Sequence, residues 1–437
     1  MPNANSTSHV AIIGGGMAGL AAAATLVNKG VEVTLFEASP YLGGRARGLS
    51  YQGTTIDNGQ HILLGAYRET LNLLHVAGVD TQQLLKRIPL ELLVKDLFHP
   101  HTFSLQAHHL LPAPYHILWA LMFAKGVNTS EKYAAIQFLA WLKYKKFKLS
   151  QDESLLTLLL RKKQSPNFMR FLWEPLCLAA MNTPIQQASA QVFLNVLRDS
   201  FAQKKHDADI LFATTDLTSL ICTPIAKYLS TQGVIIYTNT AVNDIQLTPT
   251  GFQITQHDAQ SSFSHVILAC GPHQLKSFTH ALPMLSSLTQ AFDYQAITTV
   301  YLQYPAEIRL PRPMIGVVNS LTQWIFDRGQ LCEQAGLIAV VISAHPHFAQ
   351  SQAVLAEQVA SELTQLFPTL EKPLWHKVIT EKRATFSCDA HLVRPANITA
   401  YPKLYLAGDY TAGDYPATIE GAIRSGIQAA QLVLINH

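Results

Sequence analysis

The chain has 437 residues, which is too long for one ordinary compact core and points to two domains or a nucleotide-binding core with a large insertion. Hydrophobic residues make up 48% and charged residues 14%, the reverse of the balance that keeps a chain disordered. The formal net charge of +3 is too small to argue for a nucleic-acid partner, and the low charge with positive mean hydropathy points to an apolar ligand or a membrane surface. The five cysteines, Cys177, Cys222, Cys270, Cys332 and Cys388, are scattered, and no two are spaced CxxC. Neither a disulfide framework nor a zinc site is supported, and a reducing, cytoplasmic setting fits. Met1–Ser8 is polar and does not read as a signal peptide. The longest apolar run, 117–124, falls short of the ~18 residues a membrane-spanning helix needs.

In chain order, 9–13 is a short β-branched run ending at glycine and reads as a buried parallel strand. Residues 17–29 are Ala/Leu-rich with Gly30 as a stop, which predicts a helix, and 31–36 is the next strand. Together they make a βαβ unit of the usual length. From about 80 to 220 the texture changes to leucine-rich helix. Strands are predicted at 233–237, 251–255, 265–269, 298–303 and 337–342, and again at 403–407 before a closing helix over 417–435. This divides the chain into nucleotide-binding parts at 1–80, 221–275 and 381–437. A mainly helical, membrane-facing substrate segment lies at 81–220, and a strand-rich one at 276–380.

Gly14, Gly16 and Gly19 form a GxGxxG fingerprint between the first strand and the first helix. The first glycine allows a tight turn, the second a close approach of backbone to pyrophosphate, and the third close packing of helix on sheet. The helix start around Ala18 then offers free N–H groups and a positive dipole end to phosphate. A fingerprint alone identifies little, but Glu37 ends the second strand, where a carboxylate accepts hydrogen bonds from ribose hydroxyls and repels a 2′-phosphate.

Two further motifs select among dinucleotides. Gly43-Gly44-Arg45 follows closely, with two glycines for backbone approach and an arginine for pyrophosphate oxygens. It resembles the GGR motif of the amine oxidase and carotenoid desaturase superfamily. At the other end, Leu406-Ala-Gly408-Asp409-Tyr and Tyr415-Pro-Ala-Thr418-Ile419-Glu-Gly resemble the terminal FAD motif of the same superfamily. The resemblance implies that Asp409 holds a ribityl or phosphate-side hydroxyl. It also aims the start of the closing helix at the flavin edge where negative charge develops on reduction. Val242 resembles the valine that contacts adenine. No cysteine lies near this motif, so FAD is expected to be non-covalent. The implied fold is α/β, a glutathione-reductase-like FAD-binding Rossmann core with an inserted α+β substrate domain.

The stretch Ile56-Asp57-Asn-Gly-Gln-His61-Ile-Leu-Leu-Gly, with Arg394-Pro395 and 407–426, is similar to the squalene-associated FAD-dependent desaturase family, also called hydroxysqualene dehydroxylase. Membership implies reduction of hydroxysqualene to squalene with loss of water, in squalene and hopanoid biosynthesis. It also implies an apolar isoprenoid substrate, association with upstream squalene-pathway synthases, and an electron donor that the sequence leaves open. The chemistry is coherent: an allylic hydroxyl leaves a delocalised cation, reduced flavin supplies hydride, and an apolar tunnel excludes water. Asp57 and His61 are the candidate acids for the leaving hydroxyl. For Asp57, Asx-turn chemistry is the stronger reading; for His61 an interior structural role competes evenly. Other readings are a carotenoid desaturase, a flavin amine oxidase (although no aromatic cage is identifiable) and a non-catalytic flavin-bound partner of an isoprenoid synthase.

The basic, aromatic stretch 141–148, Arg161-Lys-Lys163 and the apolar 114–123 are expected to form a membrane-facing rim at a tunnel mouth, peripheral at the inner face of the membrane; a solvated face beside a core helix is the competing reading. His99, His101, His108 and His109 read as a surface loop rather than a metal site.

Overall fold

A computed structural model describes residues 9–256, 259–289, 292–344 and 351–435; the polar segment Met1–Ser8 lies outside them. The first apolar run forms strand His9–Ile13, buried on both faces of a five-stranded sheet. Its neighbours are Glu32–Phe36 on one side and His265–Leu268 on the other, with Ile235–Tyr237 and Leu404–Leu406 at the edges. Every pairing is parallel. Numbered in chain order the strands lie 3-2-1-4-5, the doubly wound dinucleotide-binding arrangement. Residues nearly 400 positions apart in sequence thus share one sheet.

Two helices cover one face of this sheet. Met17–Val27 is buried along most of its length, and Ile419–Ile435 lies against it. The contact is backbone to backbone: a Cβ on Gly426 would sit 2.0 Å from the Ala18 carbonyl oxygen. Only glycine admits that approach, and it brings the starts of both helices to the same edge of the sheet.

The inserted material forms a seven-stranded sheet, ordered Trp375–Phe386, Tyr294–Gln303, Leu337–Ser343, Trp324–Asp327, Met314–Val318, Glu91–Asp96 and Thr102–Gln106. The segment expected to be mainly helical therefore opens with strands, including Leu85–Ile88. Strands 91–96 and 102–106 form a hairpin that joins residues 314–318 in parallel. Alternate burial along Glu91–Asp96 explains the difference, because period-two apolar residues face a core that only the distant strands complete. Helices Tyr115–Met122, Thr129–Tyr144, Leu155–Arg161 and Ala190–Leu197 then cover this sheet. Their buried residues and those of one face of the sheet form one apolar cluster. It extends from Ile56 and Tyr410, beside the nucleotide-binding motifs, to Ile117, Ala120 and Leu121.

Candidate active site

The site is built where the two helix starts meet. Gly14 turns the chain with φ +114°, and a Cβ there would lie 2.5 Å from the Ala269 carbonyl oxygen. A Cβ on Gly19 would strike the Gly14 carbonyl oxygen at 1.9 Å, which ties the fingerprint turn to the helix. Gly16 is different, because its missing Cβ would meet nothing within 4 Å. The helix that starts there has no side-chain cap and no acidic residue in its first turn, so the N–H groups around Ala18 are free for an anion. Glu37 stands beside this turn, its carboxylate accepting from the N–H groups of Gly15 and Ser39, each at 2.7 Å. Val242 opens the strand Val242–Thr248 and packs half-buried against the cluster that holds Phe36.

Gly43 and Gly44 adopt left-handed backbone, and the Gly43 N–H donates to the Gly15 carbonyl, so the second motif lies on the first. Arg45 then reaches the C-terminal motif: its guanidinium donates to Asp409 at 2.7 Å and to the Ala384 carbonyl at 2.6 Å. Asp409 keeps the Arg45 guanidinium above its ordinary pKa, so the arginine is charged at any working pH. The Gly408 N–H donates to the Ser425 hydroxyl, and the Asp409 carbonyl accepts from Arg394, which also holds the carbonyls of Gly413 and Tyr415. Thr418 caps the closing helix, its hydroxyl accepting from the Gly421 N–H, and leaves the amides of Ile419 and Glu420 open. Glu420 is fully buried, accepting from the N–H groups of Glu69 and Thr70, the Thr70 hydroxyl and Arg424.

Asp57 ends the strand Thr54–Asp57, and His61 lies on the irregular segment that follows it beside this site; the Asn58 N–H donates to the Arg47 carbonyl. Asp57 is buried and engaged. One carboxylate oxygen accepts from the Leu217 N–H at 2.8 Å, the other lies 3.8 Å from Arg328, and its carbonyl accepts from the Tyr301 hydroxyl. Burial raises its pKa, while Leu217 and Arg328 oppose the rise. These contacts give Asp57 a structural part. His61 differs. Its Nδ1 lies 2.6 Å from the Gly59 carbonyl, which can only accept, so Nδ1 carries the proton and the neutral ring keeps Nε2 as an acceptor. Burial lowers the pKa of His61, against the pull of Asp57 and the Gly59 carbonyl.

Sequence reasoning missed Tyr301 and Arg328, which carry no motif, and gave no part to Gln60, which lies inside the stretch around Asp57 and His61. A second cleft, of about 760 Å³, runs along the outer face of the closing helix, with Arg68, Arg198, Arg424 and Tyr415 in its wall. Three of its arginines are paired, Arg68 with Asp207, Arg198 with Asp199 and Asp414, and Arg424 with Glu420, the fourth, Arg394, donates to backbone carbonyls, and the fingerprint does not border it. Of the expected membrane rim, helix Tyr115–Met122 packs against Thr129–Tyr144, and the basic residues 143–148 close and follow that second helix. Of the histidines, His99 pairs with Asp96, and His108 stacks on His109 and meets Trp119 edge-on.

Bare amides at the first helix, the open space at Gly16, the Glu37 carboxylate and the Arg45–Asp409 pair fit a flavin dinucleotide spanning the sheet edge. These features define an FAD-dependent oxidoreductase. The chain belongs to the flavin containing amine oxidoreductase family, whose profile matches residues 17–434. It is 28% identical to a hydroxysqualene dehydroxylase of Zymomonas mobilis over 98% of this chain and 99% of that one. It is 25% identical to a zeta-carotene desaturase of Synechocystis over 98% of each. Among solved structures, a triple mutant of putrescine oxidase has the same fold, with TM-score 0.77 at 15% identity over 98% of this chain and 99% of that one. So does cyclohexylamine oxidase from Brevibacterium oxydans, with TM-score 0.72 at 14% identity and the same coverage.

Proposed function

We propose that this chain reduces an allylic isoprenoid alcohol, hydroxysqualene, to squalene with loss of water. The observation that carries the reading is the single apolar cluster reaching from Ile56 and Tyr410 at the flavin motifs to the helix Tyr115–Met122. An apolar interior packed beside the flavin motifs suits a long hydrocarbon and excludes the water that would recapture a cation. Full-length similarity to hydroxysqualene dehydroxylases supports the same substrate. Bound FAD, once reduced, supplies the hydride that forms the new C–H bond. The allylic C–O bond breaks, and the oxygen leaves as water after taking up one proton. The neutral His61 ring takes up a proton from solvent at its free Nε2 and passes it to the leaving oxygen; the burial that lowers its pKa makes that imidazolium a readier acid. Arg45 and Asp409 hold the cofactor side of the cleft.

The outer face of Tyr115–Met122 exposes Tyr115, Trp119 and Met122, with Leu110 and Phe123 beside it, and serves as the contact with a bilayer from which the substrate enters. No helix among the described residues is long and apolar enough to cross a membrane. The test is anaerobic incubation of the reduced holoenzyme. Hydroxysqualene should be converted to squalene as the flavin reoxidises. Conversion of phytoene to a longer polyene by the oxidised holoenzyme with an acceptor, and no squalene, replaces this reading with a desaturase.

A further inference from the structure

The segment that carries His61 has no regular structure between Asp57 and Leu63, so its backbone is placed by what grips it from outside. Tracing those grips leads to one side chain. Arg328 begins the short helix Arg328–Cys332 at the end of a sheet strand, in the inserted domain. It is only 3% exposed, although an arginine is seldom buried without a task. Its guanidinium donates from Nη1 to the Gln60 side-chain oxygen at 2.7 Å and from Nε to the Gln334 side-chain oxygen at 2.5 Å. It faces the Asp57 carboxylate at 3.8 Å and lies over the Tyr301 ring.

Each partner passes the grip onward. Gln60 donates to the His61 carbonyl at 3.2 Å, Gln334 donates to the Thr55 carbonyl at 2.6 Å, and Tyr301 donates to the Asp57 carbonyl at 3.0 Å. The inserted domain therefore holds residues 55, 57, 60 and 61 through a cluster centred on Arg328. A fixed planar fork can serve two acceptors at set angles, which a lysine ammonium on a flexible stem does not reproduce. The helix that presents the fork is itself anchored, because Asp327 accepts from the N–H groups of Gln330 and Leu310.

We infer that Arg328 is the positioning residue of the active site: acting through Gln60, it sets the His61 imidazole against the cofactor and couples the inserted domain to the flavin-binding core. The inference rests on His61 being a site residue, as read above, and not on which alcohol is reduced.

The test uses FAD-loaded Arg328→Met, Gln60→Leu, the double variant and Arg328→Lys. Two readouts are taken: the visible circular dichroism of bound oxidised FAD, and the single-turnover rate with hydroxysqualene. Arg328→Met and Gln60→Leu should alter the flavin dichroism alike and slow turnover by about tenfold each, with KM changed less than about twofold. The double variant should be no slower than Arg328→Met alone, because both changes cut the same link. Arg328→Lys should recover only part of the rate. Multiplicative losses in the double variant would overturn the inference, and so would single variants that lose thermal stability while dichroism and rate stay as in the parent. Should Arg328→Met fail to fold with Asp57 left unpaired, Gln60→Leu removes no charge and decides alone: unchanged dichroism there overturns the inference. Dichroism needs no substrate, so a parent enzyme inert toward hydroxysqualene sinks the proposed reaction and still leaves Arg328 decided.

Discussion

The two helix starts at the flavin site are built in opposite ways. Met17–Val27 begins bare, with no capping side chain, no acid in the first turn, and open space where a Cβ of Gly16 would point. Ile419–Ile435 begins crowded. Thr418 takes one of its amides, and Glu420 turns a fully buried carboxylate onto the start of Arg68–Val76. The same backbone dipole is used for two ends. The first start leaves its positive end for a ligand phosphate. The second keeps the amides of Ile419 and Glu420 open, while the Glu420 side chain ties its first turn to another helix and fixes its orientation.

Removing the join should have the largest effect. Glu420→Ala leaves two buried N–H groups, the Thr70 hydroxyl and Arg424 without their acceptor, and is expected to cost about 2–4 kcal/mol in urea unfolding. An unchanged midpoint would show that the crowded start is not a structural join. The bare start should respond in the opposite way. Gly16→Ala meets no atom within 4 Å, so stability should stay within about 0.5 kcal/mol of the parent. FAD affinity, measured by flavin fluorescence titration, should nonetheless fall about tenfold, ~1.4 kcal/mol. Loss of stability without loss of affinity would reverse the contrast.

The smallest effect sharpens the picture of the buried interior around the site. Burial lowers the pKa of His61, His116 and His273 in the folded chain. The unfolded chain binds protons at each near pH 6.5 while the folded one resists them. The associated stability is therefore complete above about pH 6.5 and declines as pH falls below it. Thermal midpoints taken between pH 8 and 5.5 should drop on the acidic side, and His116→Phe should flatten part of that slope.

Much of the cofactor site was legible because its signals are local. The glycine fingerprint follows an apolar strand within a few residues, Glu37 ends the next strand, and the closing motif opens a helix that was expected from 417 and begins at 419. What was not legible depends on pairing at a distance. Strands 91–96 and 102–106 sit in a stretch of helical texture, and the sheet strand that their hairpin joins, 314–318, is more than 200 residues away.

Within the site the same division holds residue by residue. Sequence alone determined that a dinucleotide would lie on the first helix and that a second motif would close over it, because tight turns, helix starts and strand ends are specified by the residues that form them. It kept both Asp57 and His61 as candidate acids, with turn chemistry the stronger reading for Asp57 and an even balance for His61. Only the folded chain separated them, by turning Asp57 onto Leu217 and Arg328 while His61 kept one ring nitrogen as an acceptor. Arg328 itself has no pattern to betray it. Its position follows from the meeting of two domains, and burial, which gives a lone arginine its meaning, is a property of the packed chain and not of any neighbourhood in sequence.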